Sequence, residues 1–169
     1  MNATAISFTL ALALAVVSPA MAQATPSHAH HPAAAAAADV DVPAAAKAAV
    51  DVAERFNAAL SSGDLATVEA LLAADVLILE SGGAERSREE YMGHHAVSDA
   101  AFLKGAHRQL LRQRARTAGE FAWVGTESEL HAQQDGQPLT VQSTETMVLK
   151  QTADGWRIVH IHWSSRTRR

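Results

Sequence analysis

The chain has no cysteine, which excludes disulfides, thiolate nucleophiles and cysteine-ligated zinc but leaves the compartment open. It has no glycine-rich phosphate loop, no Gly-x-Ser-x-Gly elbow and no His-Glu-x-x-His helix, so nucleotide binding and serine-hydrolase chemistry have no support. Its net charge is only -4 over 169 residues, so no general attraction draws it to nucleic acid. No internal repeat of solenoid length is visible. Tyrosine occurs once, as Tyr91. A length of 169 residues fits one globular domain with a non-globular extension better than two domains.

Charge is also absent from the first 22 residues. There, Ile6 to Val17 is apolar, Pro19 follows, and Ala20-Met21-Ala22 precedes Gln23. This is the hydrophobic stretch and small-residue cleavage pattern of a secretory signal peptide, too short to span a bilayer. Met1-Asn2-Ala3-Thr4 lacks the usual Lys or Arg, which keeps an uncleaved anchor as the alternative. The expectation is a signal peptide over residues 1–22, no stable membrane insertion after cleavage, and a periplasmic or secreted domain. Residues 23–45 are rich in alanine and proline, with too few large apolar side chains to build a core, and read as a disordered linker. His28, His30 and His31 within it offer imidazoles to Cu²⁺ or Zn²⁺, or are simply solvated.

The globular part spans residues 46–169. Val50, Ala53, Phe56 or Asn57, and Leu60 recur at helical spacing and stop at Ser61-Ser62-Gly63. Asp64 caps a second short helix carrying Leu65, Val68, Leu71 and Leu72. Val76 to Glu80 reads as a strand ending in the turn Ser81-Gly82-Gly83, and Ser87-Arg88-Glu89-Glu90 is a capping box that opens a third helix. Four strands follow, about His107 to Thr117, Phe121 to Gln133, Leu139 to Lys150 and Trp156 to Ser164, separated by turn chemistry that favours antiparallel pairing. The fold class expected is α+β, a strongly bent antiparallel sheet with helices on one face.

In the last strand, alternation puts Trp156, Ile158, His160, His162 and Ser164 on one face and Val159, Ile161 and Trp163 on the other. The opening helix, the Ser62-Gly63-Asp64-Leu65 junction leading to Leu71-Leu72-Ala73-Ala74-Asp75-Val76, and the closing Gly155 to Ser164 run together carry a resemblance. The chain resembles the nuclear transport factor 2-like superfamily, in particular SnoaL-like and ketosteroid isomerase-like small proteins and the association domain of calcium/calmodulin-dependent kinase. The resemblance implies a cone-shaped curved sheet with helices packed on its concave face, the cystatin-like arrangement. It also implies a pocket between sheet and helices and a homodimer formed through the sheet. It does not choose a function, since the superfamily serves isomerases, dehydratases, cyclases, transport factors and oligomerisation modules alike.

Candidate pocket residues come from two elements. On the third helix, Tyr91, His95, Ser98 and Phe102 form one stripe with His94 at its edge. On the last strand, His160 and His162 stand about 7 Å apart on one face, a spacing from which two imidazoles share a metal ion. A third ligand would come from His94, His95 or Glu145; hydrogen bonding at the sheet is the alternative role. For proton transfer the candidates are His95, Asp99, Glu127, Glu145 and His160, because desolvation in an apolar cone moves a pKa toward neutrality. His95 and Glu145 lead this set, Glu145 because it shares a strand face with Val141, Met147 and Leu149. With Tyr91 alone, the tyrosine-rich oxyanion arrangement of ketosteroid isomerases is not available. Arg108, Arg112, Arg114 and Arg116 lie at even spacing, a row suited to an anion or to acids on the neighbouring strand.

Three functions follow. The first is a secreted pocket protein binding a small molecule through Tyr91, His94, His95, Glu145, His160 and His162, with no required cofactor. The second is a cofactor-free proton-transfer enzyme. The third is a periplasmic Cu²⁺- or Zn²⁺-binding protein using His160, His162 and the histidine-rich tail.

Overall fold

The computed structural model describes residues 37–168. The expected signal peptide and the His28, His30 and His31 cluster lie outside the described residues. The elements run β1 (Asp39–Asp41), a 3-10 turn (Ala44–Ala46), α1 (Lys47–Ser62), α2 (Leu65–Leu71), β2 (Leu72–Glu80), β3 (Gly83–Glu85), α3 (Arg88–Gly93), α4 (His95–Lys104), β4 (His107–Ala118), β5 (Phe121–Gln134), β6 (Gln137–Thr152) and β7 (Gly155–Thr167). The seven strands form one curved, unclosed sheet in the order β1-β4-β5-β6-β7-β2-β3. Strands β4 to β7 pair antiparallel in sequence order, while β7 pairs parallel with β2. Asp135 and Gly136, both with positive φ (52° and 74°), close the β5–β6 hairpin, a conformation that suits their residue types.

The helices cover one face. Ala49, Val50, Ala53, Phe56, Ala59 and Leu60 of α1 are buried against Val124, Met147, Leu149, Ile158 and Ile161 of the sheet, the one-sided burial that the helical spacing implies. Gly63 ends α1 in the left-handed conformation (φ 78°), and Asp64 caps α2 by accepting from the Thr67 amide. Ser87 accepts from the Glu90 amide as the capping box requires, but Glu90 reaches back to the Arg86 amide instead of that of Ser87.

Four local expectations are corrected. Residues 39–45, read as part of a disordered linker, are ordered: β1 pairs parallel with β4, and Asp39 and Asp41 accept from Arg112, Arg114 and Arg116. Complementary charge supplies there what missing apolar bulk does not. A short strand, β3, adds to the expected set; it folds back on β2 across Ser81-Gly82. The third helix is two helices, broken at His94 (φ -129°, ψ -79°), so the stripe from Tyr91 to Phe102 does not exist. Tyr91 is fully buried whereas His95, Ser98 and Phe102 are exposed, and α4 turns Ala96, Ala100 and Leu103 inward.

The fourth correction concerns parity. Leu149 pairs with Ile158 but Val148 with His160, so Val159 is an extra residue, a β-bulge. Beyond it every side chain changes face. Ile158, Ile161 and Trp163 look toward the helices, and His160 and His162 look away. A second bulge at Leu111 does the same in β4. Arg108 pairs with Leu130 on the inner face, whereas Arg112, Arg114 and Arg116 lie on the outer face.

Candidate functional site

Between α1, α4 and the inner face of the sheet lies a cavity of about 330 Å³, walled by Leu60, Phe102, Leu103, Leu130, Val141 and Trp163. A smaller recess of about 60 Å³ lies against Asn57, Arg108, Thr126 and Glu145 and shares Leu60, Leu103, Leu130, Ser143 and Trp163 with the cavity. Apolar walls around a few polar atoms are the usual make-up of a small-molecule site.

Glu145 is the polar centre of the recess. Its carboxylate accepts from Asn57 Nδ2 at 3.1 Å and from Trp163 Nε1 at 2.7 Å, so both oxygens are held in place. The local cause is register: β6 places Glu145 opposite Trp163 on β7 and Thr126 on β5, and cross-strand partners share a face. Burial pushes the Glu145 carboxyl above its usual range, against the lowering effects of the Trp163 and Asn57 hydrogen bonds and the Arg108 charge. Arg108 is itself engaged by Glu54 at 3.0 Å, and Gln113 donates to Glu54 at 2.6 Å. Thr126 Oγ1 is buried without a hydrogen-bond partner beside this group. A carboxyl so placed accepts a hydrogen bond or proton when ionised and donates when protonated.

A second polar group gathers at the cavity rim. Glu80 and Asp99 line the cavity, and His95 Nδ1 contacts Glu85 Oε1 and lies 3.4 Å from Glu80 Oε1. Tyr91 donates its hydroxyl to Asp99 at 3.1 Å and sets its ring 6.2 Å from that of Trp163. Burial raises the carboxyls of Glu80 and Asp99, and the hydrogen bond with Glu85 raises His95. Burial also pushes the Tyr91 hydroxyl well above its ordinary value, so it is a neutral donor.

Among the residues singled out in the sequence, Glu145 lines the interior. Tyr91 sits behind the wall with its hydroxyl committed to Asp99. His95 turns to Glu80 and Glu85 instead of Glu145, and His94 stands exposed at the helix break. The expectation that His160 and His162 face the pocket is corrected. They share a face as alternation requires, but it is the outer one, where His160 Nδ1 donates to the Leu77 carbonyl at 2.8 Å and His162 is exposed. None of His94, His95 and Glu145 shares that face, so the third ligand suggested for that pair is not supplied. Glu127 is also on the outer face, paired with Arg112.

Asn57, Trp163, Thr126, Glu80 and Glu85 join the site without having been singled out as site residues in the sequence. Asn57 was legible as the alternative to Phe56 on the inner stripe of α1. Glu85 had a fainter signal: it follows the Ser81-Gly82-Gly83 turn at the distance that pairs it with Ile78, an inward residue.

Residues 50–167 match the family described as the SnoaL-like domain. A candidate ketosteroid isomerase from Shewanella frigidimarina is similar at 37% identity and a TM-score of 0.67, over 75% of this chain and 100% of that one. The calcium/calmodulin-dependent kinase II hub from S. rosetta is similar in fold at 21% identity and a TM-score of 0.59, over 71% of this chain and 95% of that one. So is a nuclear transport factor 2-like protein with a cystatin-like fold from Novosphingobium aromaticivorans, at 17% identity and 0.59, over 70% of this chain and 79% of that one. No curated protein matches the sequence. These likenesses support a small-molecule-binding or isomerase-type domain.

Proposed function

This chain belongs to the SnoaL-like domain family, and from that premise we propose that its cone binds a compact, largely apolar organic molecule by one polar atom set against Glu145. The observation that carries the proposal is the seating of that carboxylate. It is held by Asn57 and Trp163 among apolar walls, beside the unpartnered Thr126 hydroxyl. A ligand carbonyl or hydroxyl there would take up hydrogen-bonding capacity that the fold leaves unused. The raised Glu145 carboxyl favours a second reading on the same residue, proton transfer next to a carbonyl of the bound molecule without a cofactor. In that reading Glu145 takes a proton from carbon and returns it to a neighbouring carbon, and Asn57 and Trp163 fix its orientation.

The finer setting is also proposed. The uncharged N-terminal 22 residues support export to the periplasm or beyond. The hub-like fold supports self-association, and the exposed Phe121 and Trp123 on the outer sheet face support a homodimer through that face.

The test is a panel of small cyclic enones, lactones and phenols, with binding followed by melting temperature and, in a Trp123→Phe/Trp156→Phe background that leaves Trp163 the only tryptophan, by fluorescence. Binding that quenches Trp163 and weakens at least tenfold in Glu145→Gln is expected. Mass spectrometry in D₂O then reads deuterium uptake at carbon, which the proton-transfer reading expects to fall by about 10²-fold or more in Glu145→Gln. Binding indifferent to Glu145→Gln would overturn the proposal.

A further inference from the structure

The rim cluster lies apart from Glu145 and has features of its own. Glu80 ends β2, Glu85 ends β3 across a tight hairpin, and His95 opens α4, so three elements bring their donor atoms within 4.8 Å of one another. Glu85 is 2% exposed, and its Oε2 has no hydrogen-bond partner. A buried carboxylate oxygen without a partner is rare and calls for an occupant, since desolvation without compensation is unfavourable.

Charge points the same way. Among the described residues no lysine or arginine pairs with Glu80, Glu85 or Asp99, and the His95 imidazole is the one basic side chain that reaches the two glutamates. An imidazole pairing with Glu85 Oε1 answers one oxygen and leaves the other empty. Asp99, one helical turn beyond His95 and held by the Tyr91 hydroxyl, adds a further acidic group at the rim.

We propose that Glu80, Glu85 and His95 hold a divalent first-row transition cation, with Mn²⁺ and Zn²⁺ the ions whose ligand preferences this set meets. Two carboxylates and one imidazole are three protein ligands, which leave coordination positions open, and carboxylate with imidazole suits these ions better than Cu(I). With donor distances of about 2.0–2.2 Å, opposed ligands stand roughly 4 Å apart, so small side-chain rotations close the cluster around an ion. The side chain of His95 is half exposed, which gives the ion a path from solvent, while buried Glu85 anchors it. Glu80 also lines the cavity, which puts the cation at its rim, on the opposite face of the sheet from His160 and His162.

The experiment uses the full chain with His28, His30 and His31 changed to alanine, stripped with chelator and titrated calorimetrically with Mn²⁺ and with Zn²⁺. Loss of the free Mn²⁺ electron paramagnetic resonance signal gives an independent reading. One ion per chain is expected, with affinity at least tenfold weaker in Glu85→Gln and in His95→Ala and unchanged in His160→Ala/His162→Ala. Mn²⁺ should raise the melting temperature of the parent and not that of Glu85→Gln. His95 is exposed, so His95→Ala answers the question even where Glu85→Gln folds poorly. No binding of either ion at millimolar concentration would leave an imidazole–carboxylate pair only and overturn the site. Binding that survives both Glu85→Gln and His95→Ala, or that disappears in His160→Ala/His162→Ala, would do the same. Glu145→Gln should bind the ion normally, so this proposal and the reading of Glu145 fail separately.

Discussion

Glu145 and Trp163 act as a pair. Burial lifts the carboxyl above its ordinary 4.5, and the indole N–H opposes that lift by stabilising the charged form. A carboxyl whose folded pKa exceeds its unfolded one keeps its proton in the native state to higher pH. Native stability therefore falls as pH rises from about 4.5 through the raised value. Trp163→Phe removes the donor, so the fall should extend to higher pH, and the variant should be less stable than the parent wherever the parent's Glu145 is ionised. Melting temperature measured between pH 4 and 9 checks this. The difference in profile between the parent and Trp163→Phe should vanish when Glu145→Gln is present in both, as a double-mutant cycle requires. At this scale the sequence disclosed one partner and hid the other. Glu145 stood out as an acid among Val141, Met147 and Leu149, whereas Trp163 was grouped with Val159 and Ile161 on a face whose direction alternation alone does not define.

At the scale of elements, helix α1, the Asp64 cap and the four long strands were legible, because each rests on spacing within a few residues. The breaks in those elements were not. Val159 in β7 and Leu111 in β4 are extra residues only by reference to Val148–Leu149 of β6 and Glu127–Ser128 of β5. The break at His94 depends on α3 packing Tyr91 inward while α4 turns Ala96 and Ala100 to the core. Deleting Val159 tests the bulge. The deletion would remove the extra residue and join Ile158 directly to His160, which keeps His160 and His162 outward and Ile161 and Trp163 inward opposite the same β6 partners. It should preserve cooperative thermal unfolding, read by circular dichroism, whereas deleting Ile161, which turns His162 inward and Trp163 outward, should abolish it. Val159→Ala keeps the residue count and should preserve the cooperative transition.

The described residues build a curved sheet with two different faces. The inner one carries the core, the recess and the rim cluster. The outer one carries the Asp39 and Asp41 pairs with Arg112, Arg114 and Arg116, the histidine pair, and exposed Phe121 and Trp123. Trp123 also packs its ring over Gly125, which leaves an aromatic surface in the middle of that face. Trp123→Glu should convert the proposed homodimer to a monomer in light scattering after size exclusion, with helix and strand content unchanged by circular dichroism. A dimer that persists would place the interface elsewhere. The sequence by itself determined the fold class, the one-sided burial of α1, the antiparallel succession of the four long strands and the presence of a carboxylate on an apolar strand face, because periodicity and turn chemistry act over a few residues. Only the tertiary structure decided which histidines face the cavity, that His95 joins Glu80 and Glu85, and that Trp163 holds Glu145. Each of these depends on register between strands distant in sequence, and one extra residue in one strand reverses every side chain beyond it.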